Sequence, residues 1–201
     1  MATLGACKTC KGKCSSDAPR CPHCGQPSPL SCFAAETLIE TPFGSRAICK
    51  LREGDVILSF ALSSGKTIAR LVTARIEHAA AQIFEVQCCD GRPLRTTFLH
   101  PLLTRRGWVR AGRLRPGDRI VGTKGVDRVV RETIPTSRIE PVFNLHTAVE
   151  HNFIAEGAVA HNFVVMPALR SIIHRLFVDP IASSQAQLVS ATGRSWDPQR
   201  Y

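Results

Sequence analysis

From Cys32 to Asn162 the chain alternates short apolar-rich runs with turns of Gly, Pro and Asp. The runs AETLIE (35–40), RIVG (119–122) and VFNLHT (142–147) carry the β-branched and aromatic residues of strands, so this stretch reads as mainly β. A different period begins after Phe163. Leu169, Ile172, Ile173 and Leu176 recur at i, i+3, i+4, i+7, opposite Arg170, Ser171, His174 and Arg175, which predicts a short amphipathic helix. Pro167 suits its first turn and Pro180 ends it. Beyond Pro180 no periodicity remains. The first 26 residues are rich in Cys, Lys and Gly, and PSPLS (27–31) reads as a linker. The expected organisation is a small module at 1–26, the linker, a β domain at 32–162, and a C-terminal flank at 163–201.

The β stretch repeats itself. Residues 44–57 align without gaps on residues 107–120, matching Gly44/Gly107, Leu51/Leu114, Arg52/Arg115, Gly54/Gly117, Asp55/Asp118 and Ile57/Ile120; Thr41/Thr104 match upstream. A Leu-Arg-x-Gly-Asp turn feeding a strand, used twice at one offset, predicts two similar halves about a pseudo-twofold axis. L-x-x-G-D is also a common turn-to-strand sequence, which is the plainer account of any one copy.

Composition sets the class. No apolar run approaches the ~20 residues that span a bilayer, so no transmembrane segment is expected. The opening MATLGACKTC lacks the apolar core of a signal peptide. The net charge of +10 invites a nucleic-acid reading, yet the densest basic stretch, Arg92–Arg119, is turn-rich and patterned, and reads as the solvated face of a sheet. Nine cysteines, an odd number with C-x-x-C spacing, fit metal ligation in a reducing compartment better than a disulfide framework, so a cytoplasmic location is expected.

Cys7-Lys-Thr-Cys10 and Cys21-Pro-His-Cys24 are separated by ten residues. Two such knuckles supply the tetrahedral thiolate set that Zn²⁺ prefers, closed to substrate and therefore structural. With so few apolar residues in the module, metal binding must supply most of its folding free energy. The pattern resembles a zinc ribbon, its partner a protein or a nucleic acid. A redox C-x-x-C is the competing reading. Cys14 and His23 are spare ligands, and Cys49, Cys88 and Cys89 are expected as buried thiols in strands.

A lone cysteine at position 32 is ordinarily a small buried hydrophobe. Here it opens the β stretch that Ala160-His161-Asn162 closes. Cys32 through Asp55, then Thr97-Phe-Leu-His100-Pro-Leu-Leu, then Val142-Phe-Asn-Leu through His151-Asn-Phe, Gly157 and His161-Asn162 follow the order of the hedgehog/intein (Hint) motifs. The segment resembles that family, in its bacterial intein-like form. The resemblance implies a horseshoe-like, pseudo-twofold β-fold and single-turnover self-processing of the chain's own flanks, with no cofactor for the chemistry. It also implies roles. Cys32 attacks the Ser31 carbonyl to form a thioester; Thr97 holds the bond and His100 protonates the leaving nitrogen. Asn162 cyclises to a succinimide and releases Phe163, His161 polarising its carbonyl and His151 assisting. His78 and His146 have no motif position.

Two departures stand out. Asn144 occupies a place where many relatives carry Asp, which puts coordination of the two steps in doubt. Phe163 stands where a splicing intein has Cys, Ser or Thr, so cleavage is expected over ligation. Two other readings stay open: a silent Hint scaffold on a zinc-ribbon binding protein, and hedgehog-like transfer of the upstream segment to an external nucleophile.

Overall fold

A computed structural model describes residues 4–7, 12–15, 18, 21–23 and 31–162. The predicted C-terminal helix lies outside the described residues, as do Cys10 and Cys24. Near the N-terminus, β1 (Leu4–Ala6) pairs antiparallel with β2 (Lys13–Ser15).

The rest is antiparallel β. Its strands are β3 (Phe33–Ala34), β4 (Leu38–Thr41), β5 (Gly44–Ala47), β6 (Val56–Ala61), β7 (Lys66–Cys88), β8 (Leu94–Thr96), β9 (Pro101–Thr104), β10 (Gly107–Arg110), β11 (Arg119–Ile120), β12 (Arg128–Thr147), β13 (Asn152–Ala155) and β14 (Ala158–His161). They form one sheet in the order β5-β4-β13-β14-β9-β11-β12-β3-β8-β7-β6, with β10 beside β9 and β12 also along β7. Phe33, Ile39, Ile48, Leu51, Ile57, Leu102, Ile120 and Phe153 fill the core. Among the described residues no helix is long and apolar enough to cross a membrane.

The internal repeat is structural. At the constant offset of 63, β4, β5 and the 3₁₀ turn Ile48–Lys50 recur as β9, β10 and the 3₁₀ turn Ala111–Arg113. The repeated sequence explains this locally. Leu51 and Leu114 are buried anchors. The next four residues turn back, Asp55 N–H donating to Arg52 O and Asp118 N–H to Arg115 O at 3.1 and 3.0 Å. Gly54 and Gly117 hold φ of +89° and +85°, a region other residues seldom enter. Each Asp carboxylate then accepts the Arg N–H that opens its turn, at 2.8 Å in both copies. Thr41 and Thr104 tie the β4–β5 and β9–β10 turns in the same way, donating to Gly44 O and Gly107 O at 2.6 and 2.7 Å. Phe33 pairs with Thr96, its own counterpart at that offset, so the pseudo-twofold axis passes through this pair.

Two strands are far longer than the short runs expected, 23 residues in β7 and 20 in β12. Proline cannot donate to a ladder, yet β12 contains Pro135 and Pro141. The structure absorbs them in bulges, with register shifts against β7 at Pro135/Ile139 and Glu140/Val142.

Of the three cysteines expected as buried strand thiols, one is so placed and two are not. Cys88 is buried at the end of β7, and burial pushes its thiol pKa up. Cys49 is only half-buried in a 3₁₀ turn, and Cys89 is exposed beyond the strand. The basic stretch is partly compensated: Arg105 and Arg119 both meet Asp127 from beyond it, and Arg106 meets Asp118 within it.

One charge pair reaches inside. Arg128, 4% exposed, donates from Nε and Nη2 to the Asp90 carboxylate at 2.9 and 3.0 Å, and from Nη1 to Glu156 O in the β13–β14 turn at 3.0 Å. These hydrogen bonds hold the Asp90 carboxyl at about 2, below its ordinary 3.8. A depressed pKa contributes stability that is present above the ordinary carboxylate range and lost as pH falls through the folded value. Acid destabilisation between about pH 4 and about pH 2 is therefore expected, and Asp90→Asn should blunt it. At neutral pH the same substitution strands a buried guanidinium. Because Asp90 is itself about a third exposed, the loss should fall near the lower end of the range for breaking a buried pair, about 3 kcal/mol by urea denaturation. An unchanged midpoint would show that water already satisfies Arg128.

Candidate functional site

The peptide bond between Ser31 and Cys32 enters the β domain just before β3, and both residues are buried. It is held from both sides. Cys32 N–H donates to Thr97 Oγ1 at 3.0 Å. Cys32 O accepts from Thr97 N–H at 2.9 Å and from Thr96 Oγ1 at 2.7 Å. Ser31 O accepts from Asn144 Nδ2 at 2.5 Å. The Ser31 hydroxyl lies 3.3 Å from His100 Nδ1, and the imidazole is tilted over Phe33 with ring centroids 4.1 Å apart.

Strand register explains this convergence. Thr97 follows β8, which pairs with β3 through Phe33 and Thr96, and a tight turn from Thr97 O to His100 N–H at 3.1 Å brings the histidine round. On the other side β3 pairs with β12 through Phe33 and Phe143, which sets Asn144 opposite Cys32. The repeat shows what is special about this half. Thr97 and His100 correspond at the offset of 63 to Ala34 and Thr37, which make the same turn with Thr37 N–H on Ala34 O at 3.1 Å. The backbone device is common to both halves, whereas only the second carries a hydroxyl and an imidazole at these places.

At the other end, β13 and β14 form a hairpin whose turn uses Glu156 and Gly157 at φ of +49° and +76°. Each half of the repeat grips one strand of it: Ile39 of β4 pairs with Ala155, and Leu102 of β9 pairs with Ala160. The second pairing, continued two residues, brings Asn162 level with His100. Asn162 is buried. Its N–H donates to His151 O at 3.0 Å, and its side-chain Nδ2 donates to Thr147 O at 2.8 Å and to Thr147 Oγ1 at 3.3 Å. His161 Nδ1 lies 2.6 Å from Asn162 O. A carbonyl only accepts, so in this contact Nδ1 carries the proton. The His161 ring stands edge-on to Trp108 at 5.0 Å.

The structure thus gathers Cys32, Thr97 and His100 around one peptide bond, and His161 and Asn162 around the other. His151 meets Asn162 through its backbone, while its ring lies 5.8 Å from His146, whose Nδ1 is 2.6 Å from Thr73 Oγ1. Two residues without an assigned role join the site. Thr147 holds the Asn162 amide, and Asn144 touches the Ser31 carbonyl. The sequence signal for Asn144 was its departure within the VFNLHT strand; Thr147, three residues on, had none.

Of the expected metal ligands, Cys7 and Cys21 are buried in one cluster with Cys14. His23 N–H donates to Cys21 Sγ at 3.4 Å, the backbone-to-sulfur bond of a knuckle. Among the described residues no group of three or more His, Cys, Asp or Glu side chains is arranged to hold a metal.

Residues 38–166 match the Pretoxin HINT domain family. No protein of curated function matches the chain. Among solved structures, the Ssp DnaB mini-intein variant M86 is similar at 18% identity and a TM-score of 0.64, over 68% of this chain and 96% of that one. A DnaB intein from Synechocystis sp. PCC 6803 is similar at 20% identity and 0.62, over 66% and 99%. A bacterial intein-like domain from Clostridium thermocellum is similar at 23% identity and 0.61, over 66% and 99%. At these identities the likeness is one of fold. The family match takes in Thr97, His100, His151, His161 and Asn162 and begins after Cys32.

Proposed function

The chain belongs to the pretoxin HINT domain family, built on an autoprocessing fold, and on that premise we propose that it breaks its own backbone at Ser31–Cys32 and at Asn162–Phe163. At the first bond Cys32 Sγ gives up its proton and attacks the Ser31 carbonyl carbon. The C–S bond forms, the C–N bond breaks, and the nitrogen takes a proton to become the α-amine of Cys32. Thr97 Oγ1 holds that nitrogen, and His100 is the acid that supplies its proton. At the second bond Asn162 Nδ2 attacks its own carbonyl carbon. The Thr147 oxygens hold Nδ2 by hydrogen bonds. The C–N bond to Phe163 breaks as the new one forms, and the proton that Nδ2 gives up is balanced by the one the Phe163 nitrogen gains as it leaves. The observation that carries this reading is His161 Nδ1 at 2.6 Å from the oxygen that must be polarised.

Phe163 offers no hydroxyl or thiol to receive the thioester, so the products are fragments and not a ligated chain. The substrates are the chain's own flanks. A domain of the pretoxin HINT family would by this chemistry free whatever follows Asn162. Intact-mass measurement of freshly purified protein with dithiothreitol tests the proposal. Fragments of residues 1–31 and 163–201 are expected. A chain that stays whole would mean a silent scaffold, a mass adduct on residues 1–31 without added thiol would mean transfer to an external nucleophile, and a ligated mass would overturn the preference for cleavage.

The N-terminal module is proposed to bind one Zn²⁺ through Cys7, Cys10, Cys21 and Cys24. The buried packing of Cys7 and Cys21 and the His23 amide on Cys21 sulfur support this. Cys14 shares their cluster and is a fifth sulfur within reach. Metal analysis should find one zinc per chain, and chelation should leave the cooperative melting of the β domain unchanged. Loss of that transition would mean that the metal belongs to the β core. A module of this kind would bind a protein or a nucleic acid, and its thiolates suit a reducing, cytoplasmic setting.

A further inference from the structure

We infer that Asn144 is a catalytic residue of the N-terminal step, the donor that stabilises the oxyanion formed when the Ser31 carbonyl is attacked. The inference rests on the thioester reading above. Asn144 is fully buried on β12, and its Nδ2 sits 2.5 Å from Ser31 O. Its orientation is fixed by a second bond, because Oδ1 accepts the Leu145 N–H at 2.8 Å. Turning the amide over would set Nδ2 against that N–H and Oδ1 against the Ser31 oxygen, losing both bonds in a buried site.

In the amide the Ser31 oxygen carries only a partial charge. As Cys32 sulfur adds to the carbonyl carbon, the π electrons move onto that oxygen, and they return when the C–N bond breaks. A donor already in place needs no reorganisation as the charge develops, so its attraction grows toward the transition state. The residue type fits the task. An ionised Asp at this place would face the growing oxyanion with a like charge, whereas a neutral amide donates at every pH. The same neutrality means that position 144 carries no proton between the two ends, so each cleavage proceeds by its own residues.

The test times dithiothreitol-induced release of residues 1–31 in wild type, Asn144→Ala and Asn144→Asp, with release of residues 163–201 followed in the same samples. Asn144→Ala should slow the first release by about 10²–10³-fold and leave the second within a few-fold. Asn144→Asp should be slow near pH 8, and its rate relative to wild type should rise as pH falls toward about 5, since only the protonated carboxyl donates. A purely structural role would not produce that rise. If Asn144→Ala releases residues 1–31 at the wild-type rate, the inference is overturned and the thioester reading stands. If both releases fall together in Asn144→Ala and the Asp variant shows no rise, Asn144 only shapes the fold and the inference is likewise overturned. If wild type shows no Cys32-dependent release, the thioester reading itself fails and the inference falls with it.

Discussion

Cys32→Ala should abolish thiol-induced release of residues 1–31, because no other group in the site can form a thioester with Ser31. Cys32 is buried, and its nitrogen and carbonyl are engaged by Thr97 and Thr96. Alanine keeps the backbone N–H that meets Thr97 Oγ1 and removes only the sulfur, so the fold should persist. The cost is then chemical. Without an internal nucleophile the bond must await hydrolysis of a resonance-stabilised amide, which is immeasurably slow on this timescale. Tail release from the same variant should be unaffected, since Asn162 and His161 are held by Thr147 and His151 and backed by Trp108. Hydroxylamine should cleave wild type at the same bond, because it captures any thioester. Release from Cys32→Ala at the wild-type rate would identify a contaminating protease and end the thioester account.

Much of this site was legible in the sequence, for reasons that can be named. The repeat at an offset of 63 survives because each copy needs the same buried leucine, the same glycine at positive φ and the same carboxylate on its turn. The order from Cys32 to Asn162 is legible because the two bonds proposed to break lie at the ends of the domain, so Cys32, His161 and Asn162 stay at its edges in sequence. The long strands were hidden, since β12 contains two prolines and only the pairing with β7 shows the bulges that take them in. Asn144 was visible as a departure from the carboxylate of its relatives. Its direction was not, because that depends on the Leu145 N–H and on where β3 passes.

Thr147 illustrates a harder limit. It has no motif position, and it comes to Asn162 only because the β13–β14 hairpin returns the chain to the end of β12. The Thr147 hydroxyl donates to Asn152 O at 3.1 Å, which leaves its lone pairs turned toward the Asn162 amide. A contact made by a returning hairpin has no local signature. The same holds for Arg128 and Asp90, 38 residues apart, whose pairing ties the hairpin turn through Glu156 O.

Asn162→Ala should stop release of residues 163–201 while leaving thiol-induced release of residues 1–31 intact. Cyclisation uses the side-chain nitrogen as the nucleophile, and alanine has none. The native amide is well prepared for this step: two Thr147 oxygens accept its protons and its own N–H is held by His151 O. That arrangement fixes the nitrogen but does not activate the carbonyl, a task the proposed mechanism gives to His161. His161→Ala should therefore slow tail release by roughly 10²–10⁴-fold without abolishing it, whereas His100→Ala should impair the N-terminal release instead. The graded pattern distinguishes a nucleophile from its assistants, since loss of the nucleophile leaves nothing to assist. Fragment masses followed over time in Asn162→Ala, His161→Ala and His100→Ala, side by side, provide the measurement. If Asn162→Ala still frees the tail at the wild-type rate, succinimide formation is wrong for this chain and only the N-terminal thioester reaction survives.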